Sequence, residues 1–243
     1  VVPPHSLSTQ EKLDRCRAVH RRTAGLDPRI VNVRVSYSEN AEYSVFANRN
    51  ADLAQHVQRM RLFVVVIVGG ENGVQYNWTS KTATGGWEHL DFTDAELQHT
   101  VETAVALLAS ERIEPGEYTC IASPTVAGTI VHESFGHGVE TDMFLKKRAR
   151  AAQFIDEVVG SPLVDIWEDP SLPGAYGSYF FDDEGMLARR TTIVEKGVFR
   201  RGITDLYSAT LLGIPRSPNG RRQDYSRKAY ARMSTTAFGA GET

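Results

Sequence analysis

The sequence predicts an α+β protein: an antiparallel sheet packed with helices, a motif on a buried helix, and a β-rich segment after it. Three observations carry that expectation. Residues 30–84 hold apolar runs of strand length and alternation, divided by turn chemistry. Capping boxes, Ser8 with Glu11 and Thr93 with Glu96, open helices on either side of that run. Beyond residue 160, strand-length runs alternate with turn clusters. The expected divisions are residues 1–110, an N-terminal region of meander plus helices; 111–160, the motif segment; and 161–243, the start of a β-rich C-terminal part.

In chain order, Leu13, Cys16, Val19 and His20 follow the first capping box at helical spacing, and Gly25 is placed to stop that helix. Cys16 and His20 read as the inner face of an amphipathic helix. Val31, Val33, Val35 and Tyr37 alternate with polar residues, giving a half-buried strand, with Tyr43 to Ala47 as its hairpin partner. Residues 48–52 supply a turn. The continuous β-branched run 62–68 reads as a central strand, and a turn at 69–73 leads into a strand over 74–84. The expected sheet is a meander of about four strands.

Leu97, Val101, Ala104, Val105 and Leu108 make the apolar stripe of the second helix. Tyr118 to Ala122 reads as a short strand with Cys120 as a small buried hydrophobe. Pro124 suits a helix start, and Val126, Ile130 and Val131 at helical spacing predict a buried helix over the motif that follows. Residues 146–150 form a basic cluster expected on a solvated face. Residues 163–168, 177–181 and 190–195 have strand length. A short helix is expected over 205–212, closed by Gly213 and Pro215. The acidic turn Asp182-Asp183-Glu184 reads as solvated. Arg221 and Arg222 read either as anchors for a peptide carboxylate or as exposed turn cations.

At 243 residues, with 41% hydrophobic and 23% charged side chains, the chain has ample material for a core. A net charge of −3 gives no global reason to expect nucleic acid or an anionic membrane as partner. Two cysteines, Cys16 and Cys120, are too few for a disulfide scaffold, which makes a reducing compartment the default. The longest apolar run is far too short to span a bilayer, and the start lacks the pattern of a signal peptide. Both ends read as cut.

The chemistry is concentrated in HESFGHGVETD, residues 132–142. Imidazoles are common zinc ligands, and a neighbouring carboxylate can take a proton from a metal-activated water. His132 and His137 are the candidate ligands and Glu133 the candidate general base. Two histidines and a glutamate satisfied by hydrogen bonds in a polar helix turn remain the plain alternative. The familiar HExxH sets its histidines at i and i+4, whereas these stand at i and i+5. On a regular helix their side chains would diverge by about 140°. Sharing one ion therefore requires a bulge or an abrupt helix end near Gly136, and an unbroken helix through Gly138 would exclude it. Glu140 and Asp142 lie too close behind His137 to be assured as a third ligand.

The segment 121–142, IASPTVAGTIVHESFGHGVETD, resembles the active-site segment of the TldD/PmbA family of metalloproteases, once called modulators of DNA gyrase. The similarity continues through FFDDEG at 180–185, TTIVEKGVFRRGITD at 191–205, LLGIPRSPNGRRQDY at 211–225 and ARMSTT at 231–236. The resemblance implies that His132 and His137 bind zinc, that Glu133 is catalytic, and that the substrate is an unfolded peptide. It implies a cytosolic protein paired with an identical or homologous subunit. It also implies a third zinc ligand, a downstream cysteine in a C-terminal β domain; no cysteine follows Cys120, so that ligand is expected beyond residue 243. A non-catalytic regulatory or binding subunit, associated with gyrase or with a protease partner, is the alternative.

Overall fold

A computed structural model describes residues 2–71 and 73–241. The chain divides into two compact units, Val1–Glu42 with Val57–Tyr118, and Tyr43–His56 with Thr119–Thr243.

In the first unit both capping boxes form. Helix α1 (Thr9–Ala24) opens with the Glu11 N–H donating to Ser8 Oγ at 3.2 Å and the Ser8 N–H to Glu11 Oε2 at 2.8 Å. Helix α2 (Asp94–Leu107) opens the same way on Thr93 and Glu96. Strands β1 (Ile30–Ala47), β2 (Asp52–Gly70) and β3 (Gly73–Thr84) form a sheet with β2 in the middle. Alternation along β2 sends Met60, Leu62, Val64, Val66 and Val68 into one core with Leu97, Val101 and Ala104 of α2. Each such side chain contributes about 1.5–3 kcal/mol by leaving water. Replacing Leu97, which is 1% exposed, by alanine is expected to cost about 2–5 kcal/mol. A urea midpoint unchanged in Leu97→Ala would show that this core is not what holds the unit.

The meander has three long strands rather than four. β1 runs unbroken from Ile30 to Ala47, with no turn before Tyr43. Glu39 stays in extended chain, accepting from Lys12 Nζ and from the Tyr37 hydroxyl, both at 2.6 Å. The reversal comes after Ala47, where Asn48 Oδ1 accepts the N–H groups of Asn50 and Ala51. Asn72, inside the expected 69–73 turn, lies outside the described residues, as do Val1, Glu242 and Thr243. The expected strand at residues 118–122 does not form. Ile121 is fully exposed, and Cys120 is exposed rather than buried.

The second unit is built on the sheet β6-β5-β4-β9, from β4 (Ile166–Glu168), β5 (Thr191–Glu195), β6 (Val198–Phe199) and β9 (Thr236–Phe238). Its core joins Ile166, Ile193, Val194, Phe199, Ile203 and Ala231 to Val131 and Val139 from the motif segment. Buried Glu168 ties β4 to the chain entering β9, accepting from the N–H of Thr235 and the hydroxyl of Thr236. Helix α5 (Leu206–Leu212), expected from the sequence, is capped by Asp205 and closed by Gly213 at φ 66°, where a Cβ would be strained. Strands β7 (Gly220–Arg221) and β8 (Tyr230–Ala231) form a hairpin. The expected strand at 177–181 contracts to one bridge, Phe181 with Leu187. Gln55 Oε1 takes the N–H groups of Phe180 and Phe181 that a neighbouring strand would have used.

The acidic turn is not solvated. Asp182 is buried and accepts N–H groups from Glu184, Met186 and Gly220, while Glu184 accepts that of Leu206. These carboxylates brace loops instead of facing a ligand. Asp169 does similar work after β4. Burial pushes its carboxyl up, but Ser171 and Arg190 more than offset this, so it titrates below the ordinary carboxylate range. The unfolded value is about 3.9. With the folded value lower, this stabilisation is present above about pH 3.9 and is lost as pH falls through the folded value. Asp169→Asn should lower the urea midpoint at neutral pH and flatten its fall on acidification; an unaltered acid slope would remove Asp169 from the account.

Candidate metal centre

Helix α3 (Pro124–Phe135) carries the first half of the motif. Pro124 stands at its start, and Ser123 Oγ accepts the Val126 N–H at 3.4 Å. Contrary to expectation, this is not a buried helix. Val131 alone is buried, while Val126 and Ile130 are each 51% exposed. Successive residues sit about 100° apart, so the face that sends Val131 into the β4–β5 core turns Val126 and Ile130 outward. His132 and Glu133 are exposed as well. Glu133 stands on the outward face, where a shallow cavity of about 600 Å³ is lined by Val126, Thr129, Ile130, Glu133 and Ser134.

The helix stops where the histidine spacing requires. Gly136 takes φ −100° and ψ −81°, outside the helical region, while its N–H still donates to the His132 carbonyl. A 3₁₀ turn, His137–Val139, follows at once. A Cβ on Gly136 would lie 1.9 Å from Met233 Sδ and 2.4 Å from the His132 carbonyl oxygen, so only glycine fits this approach. The result is convergence: the His132 and His137 ring centroids are 4.9 Å apart and nearly perpendicular, at 79°. Two imidazoles on one tetrahedral ion, at metal–nitrogen distances of about 2.0–2.1 Å, would have centroids roughly 5 Å apart. The pair therefore fits two ligands of a zinc ion. Among the described residues, no group of three His, Cys, Asp or Glu side chains converges to complete such a site.

Glu140 and Asp142 take a different part. Glu140 is buried, and its Oε1 lies 3.3 Å from His137 Nδ1, leaving the other ring nitrogen for a ligand. Its Oε2 accepts from Arg232 Nη1 at 3.0 Å. The same nitrogen donates to Asp142 Oδ1 at 3.1 Å, and Lys146 Nζ donates to Asp142 Oδ2 at 2.8 Å. Burial holds the Glu140 carboxyl above the usual carboxylate range, against the opposing pull of Arg232 and His137. Arg232 is 92 positions from Glu140, and no local pattern in the sequence marks it as part of this network. Lys146 is exposed, as expected of the basic cluster, and its ammonium also reaches Asp142 and lies over the Tyr230 ring. Helix α4 (Thr141–Leu145) and the Thr141 N–H bond to the Ile203 carbonyl at 3.0 Å anchor this segment to the core.

Family models for the PmbA/TldA metallopeptidase central domain and C-terminal domain match residues 2–112 and 115–243 respectively. The chain belongs to the TldD/PmbA metallopeptidase family. It is 30% identical over 243 residues to a metalloprotease of Methanothermobacter thermautotrophicus, across 99% of this chain and 53% of that relative. A metalloprotease TldD homolog of Haemophilus influenzae is 26% identical, across 99% and 52%. The chain thus spans about half the length of the curated relatives it matches. Among solved structures, a Thermotoga maritima protein described as a modulator of a DNA gyrase aligns with TM-score 0.86 at 25% identity, over all of this chain and 55% of that one. TldE of Thermococcus kodakarensis shares the fold at TM-score 0.73 and 14% identity. In this TldD/PmbA-family chain, as described, no helix is long and apolar enough to cross a membrane.

Proposed function

We propose that this chain carries the catalytic segment of a zinc-dependent peptidase acting on unfolded peptides. The observation that supports it most is the helix end at Gly136, which brings His132 and His137 together beside Glu133. In this reading His132 and His137 hold the ion, and a further donor from outside the described residues completes the site. Bound zinc supplies a Lewis acid that lowers the pKa of a water and polarises a peptide carbonyl. Glu133 takes the proton from the attacking water and returns it to the leaving amine. Glu140, held by Arg232, keeps His137 in one tautomer and one orientation. An exposed α3 suits an extended peptide, whose apolar side chains can lie against Val126 and Ile130. The working protein is cytoplasmic and pairs with an identical or homologous subunit.

The non-catalytic alternative keeps one point in its favour, the lack of a third ligand among the described residues. Metal analysis of the intact protein separates the two. One zinc per catalytic subunit is expected, with His132→Ala and His137→Ala each binding it far more weakly. An intact wild-type protein that retains no divalent metal would leave the regulatory reading standing.

A further inference from the structure

The loop between β7 and β8 encloses a cavity of about 620 Å³, lined by Arg221, Arg222, Arg227, Lys228, Tyr230 and Arg232. Among the described residues, two of its five cations form ion pairs: Arg221 lies 3.7 Å from Asp183, and Arg232 pairs with Glu140 and Asp142. Arg222 donates to the Asp183 carbonyl, and the Lys228 ammonium lies over the rings of Tyr230 and Tyr207, 4.7 and 5.5 Å from their centroids. Among the described residues, the side-chain cations of Arg222, Arg227 and Lys228 have no carboxylate partner, the Arg222 backbone N–H alone donating to Asp183 Oδ2 at 2.7 Å. Like charges gathered round a concavity repel one another, and an anion placed among them relieves that repulsion while accepting charge-assisted hydrogen bonds.

We propose that this cavity is a carboxylate subsite for the peptide substrate, taking an acidic side chain or a terminal carboxylate. The proposal rests on the peptidase reading and deepens it. Arg232 lines the cavity and also holds Glu140, which touches His137, so two hydrogen-bonded links join the cavity wall to the candidate metal centre. A peptide fits better than a nucleic acid. The cavity is bordered by the carboxylates of Asp183, Glu140 and Asp142, which would repel a phosphate backbone, and the chain as a whole carries −3.

The test is binding, measured by fluorescence anisotropy on the intact protein as purified and read before any cleavage is detectable, so that hydrolysis plays no part. Three labelled pentapeptides are compared: one with a central glutamate and a free C-terminus, its glutamine counterpart, and the glutamate peptide amidated at its C-terminus. Wild type should bind the first about tenfold or more tighter than one of the other two, and which one identifies the carboxylate recognised. The double variant Arg227→Gln/Lys228→Gln, shown to be folded by circular dichroism, should lose that preference yet bind the weaker peptide as before. Equal affinity for all three peptides overturns the proposal, as does a preference that survives in the double variant. Displacement by a single-stranded oligonucleotide at matched charge would assign the surface to nucleic acid instead. Since no turnover is read, failure of the peptidase reading would appear in the activity and metal measurements and leave this result standing.

Discussion

Gly136→Ala is expected to weaken zinc binding by about 10–100-fold, the range seen when the support of a metal ligand is disturbed. It should also destabilise the fold by about 1–3 kcal/mol, the usual cost of overpacking. The new methyl would meet two atoms of different kinds, Met233 Sδ at 1.9 Å and the His132 carbonyl oxygen at 2.4 Å. A thioether at the end of a flexible side chain can move aside. The carbonyl cannot move without moving α3, because it accepts the Gly136 N–H and belongs to one of the two candidate ligands. The double variant Gly136→Ala/Met233→Ala separates the two contacts. If the backbone contact dominates, as its rigidity implies, the double variant recovers part of the stability and none of the metal affinity. Competition against a zinc chromophore and thermal unfolding read the two effects separately. Wild-type zinc affinity in Gly136→Ala would mean that the helix end does not set the histidine pair.

That helix end was legible in the sequence because the argument was local. A five-residue step cannot converge on a regular helix, and glycine was the residue able to break it. The capping boxes at Ser8 and Thr93, the central place of β2 and the Asp205–Gly213 bounds of α5 were legible for the same reason, since each pattern closes within a few residues. What sequence reading missed depends on distant partners. Val126 and Ile130 have helical spacing whether or not anything covers them, so periodicity could not reveal that α3 exposes them. The 118–122 run has strand composition, yet it is not in a strand and Ile121 is fully exposed. The acidic turn looked solvated because, beside the local donors Glu184 and Met186, it takes donors from Leu206, Arg216 and Gly220, each more than 20 positions away. Arg232, the support of Glu140, was invisible for that reason too.

Glu133→Gln carries the largest expected effect on activity. The substitution keeps the shape of the side chain and removes its charge and its capacity to accept a proton. A general base of this kind contributes about 10²–10⁴-fold to rate, so hydrolysis of an unfolded peptide should fall by that factor. Zinc content should not change, because Glu133 points along the outward face of α3 while the converging pair is His132 and His137. Stability should hardly change either, since the side chain is exposed. The pattern matters more than the loss. Lost turnover with zinc retained assigns Glu133 to proton transfer. Zinc lost together with turnover would place Glu133 among the ligands and reopen the role of His132. Unchanged turnover would move the base elsewhere, and in this segment the other carboxylates are already engaged: Glu140 by His137 and Arg232, Asp142 by Arg232 and Lys146. Glu133 is the carboxylate of the motif that combines exposure, a cavity beside it and a place next to a candidate ligand, and so it is the one to replace first.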